Sequence, residues 1–529
     1  MRALSRTLWI VPLLFFGLFF VYPVATLFAT AFTATGRGID SSAVQVITFT
    51  VVQATLSTIL TVVIGLPGAW VLARFRFPFR GTIEALSVVA FVMPTVVVAA
   101  AVGGLLSDQG PLAAVLPTGS DRGLLAILVA HVYFNLAVVL RLVGSYWRQL
   151  DPRPEEAAAC LGASPLTVFR SVTLPRLAPA IWSAGVIVFL FTFTSFGIVL
   201  LLGGPGQATI EVEIQRQALF LYDLPAAALL SLVQVLIVVV LLVAQVRLSA
   251  RIGEVATRGA LREPATKRDR GVVTLFVAVS LLVFLGPIVV VVARALRVGQ
   301  AWGLANYAGL TTAREDSVLF VPPMTAVGNS LLFAALAAVL ATGVGTVVAW
   351  LLSRSARRRW ADSWLLIPLG VSAVVLGFGL LLAFDTPPLA WRGSGWLVPV
   401  AQALIATPFV VRAVLPALDA IGPRVRQAAA TLGASPWQVV LRVELPMVSR
   451  ALAVALGFAF AISLGEFGAT LFVARGDRPT VPIAIYRLLG TPGEVNQGQA
   501  MALASVLIAM TAAAVLVTDR LRVPGGSHV

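Results

Sequence analysis

Ionisable and nucleophilic side chains are scarce in the apolar parts of this chain, so their positions decide what chemistry is open to it. Glu466, in Ser463-Leu464-Gly465-Glu466-Phe467-Gly468, is the one acid or base well inside an apolar stretch. A carboxylate there is costly and is normally kept facing a bundle interior or a wet cavity. With Ser195, Phe196 and Phe467 it makes a candidate lining for a passage able to meet a cation. The plainer alternative is a protonated acid hydrogen-bonded between helices. Enzymatic chemistry finds little support. Ser, His and Asp show no nucleophile–base grouping. The histidines are His131 and His528 and the one cysteine is Cys160, so no metal cluster is expected. His131, followed by Tyr133 and Phe134, reads as a helix-packing residue. The one lysine, Lys267, stands between Thr266 and Arg268, and no Gly-x4-Gly-Lys-[Ser/Thr] phosphate cradle exists. No catalytic residue is therefore assigned.

Composition says what must position these residues. Of 529 residues, 59% are hydrophobic and 12% charged, and mean hydropathy is +0.96. A water-soluble enzyme of this size cannot hide so much apolar surface, and the same figure excludes disorder. A helix needs roughly 20 apolar residues to cross a bilayer. Twelve stretches qualify, at about 8–32, 46–73, 83–106, 123–144, 177–203, 225–247, 272–293, 328–352, 363–384, 394–415, 451–473 and 499–518. The first exceeds the length of a signal-peptide core and is expected to be retained. Continuously apolar runs do not suit a barrel of alternating strands. The expected fold is an all-α polytopic membrane protein of about twelve transmembrane helices.

With the N-terminus inside, 28 of the 38 basic residues fall in inside loops, whereas the acids divide evenly. This is the asymmetry that the positive-inside rule expects. Both termini are therefore expected in the cytoplasm, and the net charge of +15 reports topology rather than nucleic-acid binding. One lysine beside so many arginines suggests a GC-rich bacterial genome, hence a bacterial inner membrane.

The chain also repeats itself. Residues 155–175 and 426–446 match at 12 of 21 positions, at a constant offset of 271. The register extends from Arg141/Arg412 and Pro152-Arg153/Pro423-Arg424 to Phe196-Gly197/Phe467-Gly468, Thr209/Thr480 and Ile214-x-Arg216/Ile485-x-Arg487. Ser195 is the counterpart of Glu466. Earlier, Gly65-x3-Ala69-Trp70 resembles Gly345-x3-Ala349-Trp350 at an offset of 280. Two six-span halves follow, expected at 1–247 and 271–529 with a flexible linker at 248–270. Six is even, so the halves share an orientation and are related by an axis along the membrane normal.

The repeated loop has a readable local chemistry. Pro152 or Pro154 suits a helix start, Glu155 and Glu156 suit its first turn, and Ala157 to Ala159 favour helix. Gly162 breaks the run and Ser164 caps a second helix beginning at Pro165. Leu174-Pro175 is expected to end that element and start the next span. Leu166, Val168 and Phe169 would face the membrane or a partner. One such loop could simply pack on its own bundle; two on one face suit a partner that is itself duplicated.

The spacing Glu156-Ala157-Ala158-x3-Gly162 with Leu174-Pro175 resembles the EAA loop of ABC-transporter permeases of the binding-protein-dependent import type. The second copy keeps Ala428-Ala429-x3-Gly433, Ser435-Pro436 and Leu445-Pro446, with Gln427 in place of Glu156. The resemblance implies a permease fold whose two loops seat in grooves of two ATPase subunits. ATP would be bound by those separate chains and not by this one, and a separate extracytoplasmic binding protein would deliver the solute. Two fused halves of this length resemble the ferric-ion and thiamine importer branch. The stretch Leu202-Gly-Gly-Pro-Gly-Gln-Ala-Thr-Ile-Glu-Val-Glu-Ile214 looks most like the thiamine permeases. Glu211, Glu213, Arg216 and Arg487, in matched outer loops, are candidates for docking the binding protein, with a merely solvated loop as the alternative.

Two other classes stay open at this stage. A twelve-span secondary transporter can also have two parallel halves, but it needs several buried acids or bases where only Glu466 stands. A membrane scaffold or enzyme explains neither repeat nor loop.

Overall fold

In lipid every backbone N–H and C=O must be satisfied within the segment, so long apolar stretches fold as helices. The computed structural model describes residues 8–33, 41–249, 261–314, 317–354, 371–385, 387 and 389–521. Its first half contains α1 (Ile10–Thr33), α2 (Ser41–Arg74), α3 (Arg80–Val92), α4 (Thr95–Leu106), α5 (Leu124–Gln149), α6 (Arg153–Cys160), α7 (Pro165–Phe193), α8 (Gly197–Leu202), α9 (Ile210–Leu219) and α10 (Leu224–Ser249). Its second half contains α11 (Lys267–Leu296), α12 (Pro323–Leu352), α13 (Ala373–Ala383), α14 (Leu397–Asp419), α15 (Pro423–Thr431), α16 (Pro436–Gly465), α17 (Gly468–Val473), α18 (Val481–Leu489) and α19 (Glu494–Arg520). The described strands are a two-residue hairpin pairing Arg297–Val298 with Ala301–Trp302.

Among the described residues, ten helices are long and apolar enough to cross a bilayer. The other two expected spans depart from a straight helix. The stretch 83–106 is broken into α3 and α4, bent by 106°. The cause is Pro94: the residue before a proline is pushed out of the helical region, and Met93 is extended at φ −60°, ψ 133°. The stretch 363–384 begins outside the described residues and is seen as the short α13, capped by Ser372.

The expectation that Leu174-Pro175 ends an element is corrected. The helix runs on from Pro165 to Phe193 through a π-helical turn at Phe169–Thr173. The same happens at Val440–Glu444 before Pro446, and at Gly17–Val21 before Pro23. A proline lacks the N–H and crowds the carbonyl one turn back; widening that turn lets the helix pass. The far ends of the expected 177–203 and 451–473 spans are interrupted instead, at 194–196 and 466–467.

Of the expected linker, residues 250–260 lie outside the described residues. Its end is held: Arg262 donates its N–H to the Arg74 carbonyl and accepts from the Arg76 N–H. Thr266 and Asp269 then form a capping box that starts α11.

The first helix of each half crosses to the other. α1 packs on α13, and α11 packs on α4. This contact network also fixes which ends lie together. Phe276, near the start of α11, packs on Phe77 just beyond α2, and Arg294 at its far end bonds Ser107 beyond α4. The connection to α12 stays at that far end, where Asn306 bonds the Ala295 and Arg297 carbonyls and Asn329 bonds the Pro479 carbonyl. α12 then returns, and Arg354 just beyond its end pairs with Glu444. Arg74 at the end of α2 pairs with Glu155 of α6. α11 and α12 thus run out and back between the Arg74 and Arg354 ends, and both repeated loops lie at the same end of the bundle.

Candidate functional site

Each repeated loop is a helix, a glycine turn and a second helix. α6 ends in a left-handed residue, Gly162, at φ +85°; α15 ends the same way at Gly433, φ +83°. The Gly162 N–H donates to the Ala159 carbonyl and the Ala163 N–H to the Ala158 carbonyl, at 3.0 and 3.1 Å. Gly433 and Ala434 repeat both bonds, to Ala430 and Ala429, at 3.0 and 3.1 Å. This is the Schellman closure, which satisfies the last carbonyls of a helix and needs the glycine. Two residues on, Ser164 accepts the Thr167 N–H and Ser435 accepts the Gln438 N–H. Pro165 and Pro436 occupy the first helical positions, where a missing N–H costs nothing. Both elbows are therefore rigid and built alike.

Their outer surface is apolar at the apex. Leu161 is 89% exposed and Leu432 88%, with Leu166, Trp437 and Leu441 exposed beside them. Leu161 and Leu432 were not singled out from sequence; the signal was there in an apolar residue immediately before each elbow glycine. Glu156, Ala157 and the single cysteine Cys160 are also exposed, whereas Ala158 and Ala429 are half-buried. Phe169 turns inward instead and stacks on Trp147 at 6.2 Å.

The halves meet at Phe196 and Phe467, whose rings stack at 5.4 Å with an interplanar angle of 21°. Tyr486 lies 5.5 Å from Phe467, its ring tilted by 55°. The polar partners behind these rings differ. In the first half His131, fully buried in α5, bridges the Ser57 and Ser195 hydroxyls at 2.9 and 2.8 Å. In the second half the Glu466 carboxylate turns back on its own chain. It accepts the Ala469 and Thr470 N–H groups at 2.7 and 2.9 Å and the Thr470 hydroxyl. In this conformation it caps α17, satisfying N–H groups that a helix start leaves open. The carboxylate is turned toward the start of α17.

At the opposite end from the elbows, the four docking candidates lie on the short helices α9 and α18 rather than in loops. Matched hydrogen bonds place those helices: Ile210 N–H to the Thr50 hydroxyl at 3.0 Å, and Val481 N–H to the Ser330 hydroxyl at 2.8 Å. Glu211 is 1% exposed and Glu213 4%, so this conformation presents neither carboxylate to solvent. Glu213 pairs with Arg216 at 2.8 Å, and the Arg216 side chain is exposed. Glu211 bonds Gln234, and burial pushes its carboxyl up to about 8 against the opposing hydrogen bonds from Ser372 and Gln234. Arg487 is half-buried, and loss of hydration lowers its pKa below the ordinary arginine range. A cavity of about 500 Å³ is bordered by the Arg392–Asp385 and Arg475–Asp477 ion pairs at 2.8 and 3.0 Å, and none of the four docking candidates lines it.

A helical bundle with two in-register halves, crossed first helices and paired elbows at one end defines a polytopic membrane permease. A family model for the binding-protein-dependent transport system inner membrane component matches residues 62–254 and again 341–523. The chain belongs to that family. It is the membrane-embedded component of such an importer, a transport subunit rather than an enzyme, and the family lends no support to the secondary-transporter alternative. A thiamine transport system permease protein of Salmonella typhimurium (strain LT2) is 30% identical, over 85% of this chain and 84% of its own. Its counterpart in Brucella abortus (strain 2308) is 28% identical over 93% and 92%. A probable ABC transporter permease protein of Sinorhizobium fredii is 27% identical over 94% and 92%. A solved bacterial ABC transporter involved in import of the acidic polysaccharide alginate is similar at 18% identity, with a TM-score of 0.38, over 48% of this chain and 96% of that one.

Proposed function

We propose that this chain forms the translocation path for thiamine or thiamine phosphate, delivered by an extracytoplasmic binding protein. The two elbows each seat one copy of an ATPase subunit on the cytoplasmic side, where both termini also lie. ATP is bound and hydrolysed in those partner chains. Closure of the ATPase pair moves the elbows as levers, and the halves rock between states that differ in their contacts across Phe196 and Phe467. The observation that carries the mechanism is the pair of identically built elbows with apolar apices at one end of the bundle. The substrate rests on relatives named as thiamine permeases that align over most of the chain.

The test is reconstitution of this chain in proteoliposomes with its ATPase and binding protein. ATP-dependent uptake of labelled thiamine that needs all three components is expected. Uptake driven by an ion gradient with no ATPase present would overturn the mechanism. Uptake of ferric iron but not thiamine would overturn the substrate alone.

A further inference from the structure

Each elbow is tied to its own bundle by one carboxylate, and the two halves place that carboxylate at different positions. In the first half Glu155, on α6, pairs with Arg74 at the end of α2 and accepts the Thr173 hydroxyl at 2.9 Å. In the second half the position of Glu155 is taken by Arg426, and that of Thr173 by Glu444. Arg354 is the counterpart of Arg74 at the same offset of 280 that relates Trp70 to Trp350. Glu444, 1% exposed, receives Arg354 at 2.5 Å, Arg426 at 2.6 Å and the Trp350 indole N–H at 2.9 Å.

The geometry points to these two triads as latches with one job: fixing the elbow helix to the end of the long helix and the base of the following span, so that a push on the elbow moves all three. The acid has changed places within the triad, from the elbow helix in the first half to the span in the second, while the arginine on the long helix has stayed. Glu155 and Glu444 are then positioning residues for coupling. A second guanidinium at position 155 alone would face Arg74, already beside Arg262, with only the exposed Glu156 carboxylate nearby to offset it, which is poorly compensated like charge in a partly buried site. The same guanidinium together with an acid at position 173 would write the second half's arrangement into the first. Pairwise exchange is therefore tolerated where single exchange is not.

This inference rests on the reading of the elbows as ATPase seats, and the experiment separates the two. Variants Glu155→Arg and the double variant E155R/T173E are compared in proteoliposomes with the ATPase and binding protein, reading ATP hydrolysed per thiamine taken up. That ratio is insensitive to the amount of folded protein. Glu155→Arg is expected to raise it about tenfold, and the double variant to return it to within about twofold of the unaltered chain, because contacting charges are strongly non-additive. The reverse exchange, R426E/E444T, is expected to be tolerated where Glu444→Thr is not. Double variants no better coupled than the singles, or failing to insert, would overturn the latch, as would normal coupling in Glu155→Arg. In the same preparations, protection of the Cys160 thiol by the ATPase reports the seat. Loss of protection in the unaltered chain sinks the seating; intact protection with an inert triad sinks only the latch.

Discussion

Phe196 and Phe467 hold the same place in the two halves, 271 residues apart, and their rings lie against each other at 5.4 Å. The axis relating the halves therefore passes through an aromatic contact, closed further by Tyr486 on one side. Ordinary soluble cores hide such pairs from everything; under the proposed mechanism this pair sits where the two halves part. Such a contact costs little to open, since an aromatic pair adds only about 0.5–1.5 kcal/mol beyond its area, and the proposed mechanism makes it a seal between the halves.

A double-mutant cycle tests that seal. Phe196→Ala and Phe467→Ala are each expected to let thiamine leak through proteoliposomes without ATP, and the double variant to leak little more than either. Strict additivity of the two leaks, or no leak, contradicts a shared seal.

A Cβ at Gly162 or Gly433 meets nothing within 4 Å, so the cost of substitution is purely that of the left-handed backbone. For alanine this is about 1–2 kcal/mol. Gly162→Val is expected to uncouple transport more strongly than Gly162→Asn, since asparagine tolerates this conformation. Equal activity of both variants in an uptake assay would show that the turn does not matter.

Leu161 and Leu432 carry the apolar apex. Burying one leucine is worth roughly 1.5–3 kcal/mol, hence about tenfold or more in affinity. Leu161→Asp and Leu432→Asp should each weaken ATPase binding by that order in a pull-down titration while leaving membrane insertion unchanged. Undiminished binding in both would remove the apex from the interface.

The duplicated elbow was legible in sequence because its chemistry is local: a glycine at one helix end, a serine cap, then a proline. The long apolar runs were legible for a similar reason, length alone. What escaped involves partners far apart in the chain or turns with two outcomes. Arg74 and Glu155 are 81 residues apart. Pro94 marks an interruption by residue type, but a proline is compatible with a mild kink as well as with a 106° break, and the size of the bend is not written in the local sequence. Glu211 and Glu213 look like surface acids by residue type, yet the start of α9 is enclosed by Thr50, Gln234 and Ser372. Glu466 reads as a buried acid from its apolar neighbours; its capping of α17 depends on the break at 466–467, which apolar residues on both sides conceal.

Glu211 makes a pH prediction. Its carboxyl is raised by burial from 4.5 to about 8, so the folded state holds a proton that the unfolded chain releases. The stability it supports is complete below about 4.5 and is lost as pH rises through about 8. The thermal midpoint in detergent should fall over that window, and Glu211→Gln should flatten the fall. An unchanged slope in Glu211→Gln would assign the pH dependence elsewhere.

The most direct test of the central claim uses the chain's single cysteine. Cys160 in one elbow, and its counterpart Thr431→Cys in a Cys160→Ser background, are probed with a membrane-impermeant maleimide in oriented vesicles. Both sites should react only from the cytoplasmic face, and both should be shielded when the ATPase is added. Reaction of the two sites from opposite faces, or no shielding of either, would contradict a permease driven through paired elbows.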